Sequence, residues 1–318
     1  MSNSKSIRKQ ITRRTVFAVI GVCLFAVLLT VATIKDRDIT DTLYSDGNIF
    51  SNIMALIGPM PVFFVTVPLA GALVQRSLNC GYGKGLKAVL TCLSAFLTAG
   101  ISFYGGKTFI SGDCLDSLIP SVRGNMALII PISVFVFLPL GYAGYRLALK
   151  NDDVKLVRRI IMLLIAVGAA YAVQEIIKST MHRPRPRTVA KGYPGVEFTP
   201  WFEKFPYTKD LPDKLGIYKS EFASFPSGHS MMSMTAFIGF PALAWIVPAF
   251  KDKELRLAFI GFFYSAAVMF SRIMAGAHYL SDVSASGIIM LTVSAVYLIN
   301  LKGTYYKERT HNKEQGGQ

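Results

Sequence analysis

Charge is what this sequence has least of. Only 17% of its 318 residues are Asp, Glu, Lys or Arg, against about a quarter in an ordinary soluble domain. Cysteine is also scarce, and its four positions build nothing: Cys23 and Cys92 lie inside apolar blocks, and Cys80 and Cys114 lie in different short loops. No pair has zinc or C-x-x-C spacing, which excludes a disulfide framework and a redox motif. The four read as buried small hydrophobes. There is no N-x-[ST] sequon and no internal repeat. Low complexity is confined to the polar tail after about 303, and no metal-ligand cluster is visible.

What the sequence has is apolar length. Hydrophobic residues make up 52% of the chain, mean hydropathy is +0.42, and they fall in long blocks rather than amphipathic stripes. Blocks at about 15–34, 52–75, 86–103, 127–149, 158–178, 230–249, 257–271 and 283–300 give eight candidate spans. Each is too long for a barrel strand, so the fold class is all-α, a polytopic helical membrane bundle. A basic tail (1–14) precedes the first block. No A-x-A cleavage site follows that block, so it reads as a retained anchor. Residues 15–302 then form one transmembrane domain, and 303–318 a polar tail.

Loop charge predicts the orientation. With eight spans both termini share a side, and that side carries 20 of the 34 Lys and Arg but 6 of the 19 Asp and Glu, a net +14. The other side keeps +1. Such asymmetry is what the positive-inside rule expects of cytoplasmic termini. Membrane topology therefore accounts for the basic balance, and no nucleic-acid partner is needed. The outer face receives two short connections (35–51 and 104–126) and a long one (179–229), which reads either as a solvated loop or, from its Pro and aromatic content, as a lid on the lipid interface.

Chemistry-bearing residues gather at that outer face in three clusters. The fifth span ends in Lys178, followed by His182-Arg183-Pro184-Arg185-Pro186-Arg187, four bases within ten residues. Surface solvation is an open reading for Arg183 or Arg187, whereas Lys178, near the membrane boundary, calls for an anionic partner. The sixth span opens with Pro226-Ser227-Gly228-His229. Ser227 reads either as an N-cap or as a phosphate ligand, and the free N–H groups of the helix start suit an anion in both cases. The seventh span runs out through Arg272 to His278 and Asp282. If the eighth helix starts near Ala277, these two are i and i+4 on one face, and the carboxylate fixes the histidine's tautomer. Cations, two histidines and helix amides together describe phosphoryl transfer without a metal.

Lys178-x6-Arg185-Pro186, then Pro226-Ser227-Gly228-His229, then Ser271-Arg272-x5-His278-x3-Asp282 resembles the three-part signature of the type 2 phosphatidic acid phosphatase superfamily. That superfamily also contains vanadium haloperoxidases; the apolar blocks point to its integral-membrane branch. The resemblance implies a six-helix core, with two N-terminal spans added here. It implies His278 as nucleophile forming a phosphohistidine, Asp282 orienting it, and His229 as acid and then base. Lys178, Arg185, Ser227, Gly228 and Arg272 would hold the phosphoryl oxygens, with no cofactor and no metal.

The expected protein is a multi-pass plasma (inner) membrane phosphatase for lipid phosphates or pyrophosphates, acting at the extracytoplasmic face. Two alternatives stand beside it. A phosphotransferase would pass the same phosphoryl group to a lipid or sugar acceptor. An anionic-lipid transporter would use the cations but leave the His278–Asp282 pair without a task.

Overall fold

The computed structural model describes residues 2–315 apart from 111–112, 123–124, 150, 152 and 154, and side chains within 6–303. Of the charges assigned to the cytoplasmic side, Lys5, Lys150, Asp152 and the tail residues Lys307, Glu308, Arg309, Lys313 and Glu314 therefore lie outside the described side chains. The last three residues of the polar tail also lie outside the described part.

The chain is all helix and turn among the described residues. Ten helices organise it: α1 (Ser2–Leu43), α2 (Ile49–Ile57), α3 (Met60–Leu78), α4 (Lys84–Ile110), α5 (Met126–Ala148, with a π turn at Ser133–Phe137), α6 (Leu156–Met181), α7 (Gly228–Met234), α8 (Ala236–Ala242), α9 (Glu254–Met274) and α10 (Leu280–Gln315). Among the described residues, seven segments are long and apolar enough to cross a membrane.

The eighth expected span, at 230–249, is the exception. It folds as α7 and α8, followed by a 3₁₀ turn at Leu243–Trp245. Pro241 inside α8 lacks the N–H that would continue the ladder, and Pro248 opens the next turn. Residues 228–242 are buried along almost their whole length, so this broken segment sits inside the bundle. Counted as a crossing, it keeps the total even. The second block is also interrupted, because Pro59 and Pro61 end α2 and begin α3.

Apolar surface is divided between helices buried in the bundle and helices that face outward. α3 is buried from Met60 to Leu73 except at Phe64, including Phe63, Val65, Val67 and Leu69. It packs on α5 where Gly71 meets Gly141 and Gly144 meets Pro68; a Cβ on Gly71 or Gly144 would lie 1.9 Å from the facing carbonyl oxygen. Small residues thus let the two backbones approach, as membrane helices do. α4 is the opposite case: Leu93, Phe96 and Phe103 are exposed, Phe96 by 79%. An apolar face of this kind is stable only against lipid.

Several buried hydroxyls are satisfied within their own helices. Thr66, Ser102, Ser265 and Ser294 each donate to the carbonyl four residues back, at 2.6–2.8 Å. Of the cysteines, only Cys114 is buried. Cys23 and Cys92 lie on outward faces of α1 and α4, so the expectation of four buried thiols holds for one. Their blocks are helices, but only part of each helix faces protein.

The long connection between α6 and α7 folds over one end of the bundle with a small core of its own, Val196, Phe205 and Phe222. His182 stacks on Tyr207, and Phe198 meets the edge of Tyr279. It is a packed cap. Phe202 and Tyr218 remain exposed on it.

Candidate active site

The three sequence clusters converge under this cap. α9 ends at Met274, and the chain turns through Gly276 before α10 begins at Leu280. Gly276 has φ +59, and a Cβ there would lie 2.7 Å from the Tyr44 ring, so both conformation and space call for glycine. His278 stands in this turn, 2% exposed. It therefore precedes the helix, and the expected i, i+4 stacking on one helical face does not occur.

His278 Nδ1 lies 2.8 Å from the Ser224 carbonyl oxygen and 3.6 Å from Asp282 Oδ2. A carbonyl only accepts, so Nδ1 is the protonated nitrogen and Nε2 carries the free lone pair. The carbonyl, more than the carboxylate, fixes the tautomer. Burial pushes the imidazolium down to about 4, against the pull of Asp282. The ring is neutral at pH 7.

Asp282 is held from three other directions. Its carboxylate accepts from the Tyr279 N–H at 2.7 Å, from the Ser224 hydroxyl, and from Arg183 Nη1 at 2.7 Å. Arg183 is fully buried and also binds Asp36 Oδ2 of α1 at 2.8 Å, Ser281 Oγ at 2.7 Å and the Thr199 carbonyl at 2.7 Å. Its guanidinium lies 4.1 Å from the Tyr279 ring centroid. Solvation was the sequence-based account of Arg183, and it is overturned: the side chain is the centre of a buried network. A charge with no water needs several partners, and here it has them.

His229 is the second residue of α7, 9% exposed, with Cys114 Sγ 3.6 Å from its Nε2. Gly228 and His229 occupy the first helical turn, where N–H groups have no intrahelical acceptor. Ser227 is the N-cap: its hydroxyl oxygen accepts from Ser230 N at 3.4 Å and from Ser230 Oγ at 2.8 Å. A Cβ on Gly228 would come within 3.3 Å of Lys178 Nζ, so the lysine of α6 is aimed at the start of α7.

A cavity of about 270 Å³ brings together His278, His229, Lys178, Arg185 and Gly228, with Cys114, Gln174 and Glu175 also on its wall. Ser227, Asp282 and Arg272 stand behind that wall. Arg272 is 1% exposed, and its Nε and Nη1 have no hydrogen-bond partner among the described residues. An unpaired buried guanidinium is costly unless an anion completes it.

Besides Asp36, two more acids went unnoticed in the sequence. Asp113, on the connection after α4, binds Arg185 Nη1, Arg187 Nη2 at 3.0 Å and Arg272 Nη2 at 3.4 Å. Glu221 binds Arg187 through both oxygens, at 2.6 and 3.0 Å, and accepts from Thr188 at 2.7 Å. Burial pushes the Glu221 carboxyl up, but the Arg187 hydrogen bond and the Arg185 charge outweigh it and hold it at about 2. So Arg187 is also not a merely solvated residue. No spacing marks these acids; only the fold brings them to the arginines. Among the described residues, no group of three or more His, Cys, Asp or Glu side chains is placed to hold a metal ion.

The model of the PAP2 superfamily matches residues 159–304. Those residues are a PAP2 domain. They run from α6 to the middle of α10 and contain all three clusters, whereas α1 to α5 lie outside the match. No curated protein and no solved structure matches the chain. The match supports phosphoryl-transfer chemistry of the phosphatase type, in a helical bundle with seven segments, among the described residues, long and apolar enough to cross a membrane. Cations and histidines are residue types that such chemistry can use, since transfer of a phosphoryl group depends on charge stabilisation and positioning.

Proposed function

We propose that the protein is a metal-independent phosphatase hydrolysing lipid phosphate or pyrophosphate monoesters through a phosphohistidine on His278, at the extracytoplasmic face of a plasma membrane. One observation carries the lipid part of this reading. The 270 Å³ cavity with the two histidines shares Tyr104, Tyr171 and Glu175 with an apolar groove of about 840 Å³ between α3, α4 and α6. Phe96, Leu97 and Gly100 of α4 and Gly168 of α6 line that groove, which faces the side where lipid would lie. A phosphate at the cations and an apolar tail in the groove fit one amphiphilic molecule.

The chemistry follows from the atoms. The free lone pair of His278 Nε2 attacks phosphorus as the bond to the lipid oxygen breaks. Protonated His229 gives its proton to that oxygen, and the lipid alcohol or lipid phosphate leaves. Neutral His229 then takes a proton from water, whose oxygen attacks the phosphohistidine; the N–P bond breaks and phosphate departs. Lys178, Arg185, Arg272 and the N–H groups of Gly228 and His229 serve the charge on the phosphoryl oxygens, and Ser227 holds the helix start that presents those amides.

Release of phosphate by purified protein from a panel of lipid phosphates, without any acceptor, tests the reading. Turnover that appears only when an alcohol acceptor is added would replace hydrolysis by phosphotransfer. Labelling of single cysteines placed in the cap and in the α5–α6 connection, in intact cells, tests the side: the cap should react with an impermeant reagent and the connection should not.

A further inference from the structure

We infer that Asp113 is a resident anion of the phosphate cradle, which a substrate phosphoryl group must displace and which competes with the phosphate product. The inference rests on the cradle proposed above. Asp113 is 7% exposed and bridges Arg185 and Arg272, two of the three cations assigned to the phosphoryl group. The third guanidinium it touches, Arg187, already has both Glu221 oxygens. Asp113 is thus the chief counter-ion of the two that would meet substrate.

Its position is that of a ligand. The next residue, Cys114, packs 3.6 Å from His229 Nε2, so the Asp113–Cys114 step spans from the arginines to the proposed acid–base group. A carboxylate and a phosphate dianion offer the same guanidiniums the same acceptor oxygens, and like charges side by side repel. One must leave as the other enters.

There is room for the exchange. On the side away from the histidines, Asp113 and Arg272 line a polar cavity of about 640 Å³, with Asp46, Asn48, Lys191 and Tyr218 on its walls. A displaced carboxylate can turn into this space. The two unpartnered nitrogens of Arg272 show that Asp113 satisfies that side chain only in part; a phosphate, with three terminal oxygens, can do more.

The competing account is that Asp113 merely holds the arginines in place. The two accounts predict opposite signs. As a resident anion, its neutralisation in Asp113→Asn lowers the inorganic phosphate and vanadate concentrations needed for half-inhibition by about tenfold or more. As a scaffold, its loss raises them. The assay uses full-length protein in detergent, with lipid phosphate turnover as the readout and phosphate or vanadate as the inhibitor. Unchanged or weaker inhibition in Asp113→Asn overturns the proposal.

If the asparagine variant does not fold, wild-type protein with carbon-13-labelled aspartate gives a second measurement. Adding phosphate should shift an aspartate carboxylate band in the infrared difference spectrum, and a flat spectrum in protein that phosphate inhibits overturns the proposal. Wild-type protein that neither turns over a lipid phosphate nor gains thermal stability with vanadate removes the cradle itself, and this inference with it.

Discussion

Arg183 Nη1 donates to Asp282 Oδ1 at 2.7 Å while Nη2 of the same guanidinium donates to Asp36 Oδ2 at 2.8 Å, and none of the three side chains is more than 3% exposed. One buried cation therefore joins α1, the cap and the start of α10. Removing it strands two carboxylates without water. Arg183→Ala should lower stability by about 3–5 kcal/mol, the usual cost of breaking a buried ion pair from one side. Thermal unfolding in detergent checks this. Arg183→Lys should recover little, because an ammonium cannot reach Asp36, Asp282 and the Thr199 carbonyl in one plane.

Nucleophile and acid–base group should fail differently. His278→Ala is expected to lose turnover by about 10³-fold or more and to form no acid-labile phosphoenzyme, since no other neutral imidazole replaces it. His229→Ala should still be phosphorylated by a substrate with a good leaving group, such as an aryl phosphate, and then stall. Rapid acid-free quenching with labelled phosphate distinguishes the two. Phosphoenzyme in His278→Ala would sink the assignment.

The pH dependence follows from His278. Its ordinary value near 6.5 falls to about 4 in the folded protein. Between these values the unfolded chain binds a proton that the folded one does not, so stability from this group rises with pH and is lost as pH falls from 6.5 towards 4. The His278 ring, the proposed nucleophile, stays largely neutral through the same window. The acid limb of kcat/KM that belongs to His278 should accordingly lie nearer pH 4 than 6.5. Asp282 pulls the value upward, so Asp282→Asn should move that limb lower still.

Groove filling should separate tail recognition from chemistry. Gly100 and Gly168 line the apolar groove, and a Cβ at either meets nothing within 4 Å. Gly100→Leu and Gly168→Leu therefore add bulk without a clash in the protein. We expect kcat/KM for a long-chain lipid phosphate to fall about tenfold, a loss of about 1.4 kcal/mol, with a short-chain soluble phosphate little affected. Equal losses on both substrates would count against a tail in the groove.

Much of this protein was legible in its sequence because its strongest signals are local. Apolar blocks of membrane length gave the helices, and the spacing around Lys178, Arg185, His229 and His278 brought those residues to one cavity wall in the structure. The misses were long-range. Arg183 and Asp36 are 147 residues apart, and Asp113 reaches Arg185 across 72. Nothing near Asp36 or Asp113 in sequence announces a buried partner, whereas a chain that must hide charge from lipid can pair it only in three dimensions. The start of α10 was placed three residues early, because the carboxylate was assigned to the histidine on helical spacing while its shorter bonds go to Tyr279 N and Arg183.

Asp36 has a consequence for what counts as the working unit. The superfamily match begins at residue 159, and α1 lies far outside it. Yet Asp36 accepts from Arg183 and from the Ser281 N–H at 2.9 Å, both within the matched segment. A gene fragment cut at the family boundary would inherit the lock without one of its keys. Helix α1 is thus part of the same packed unit, and transplanting the matched segment elsewhere would require bringing a carboxylate with it.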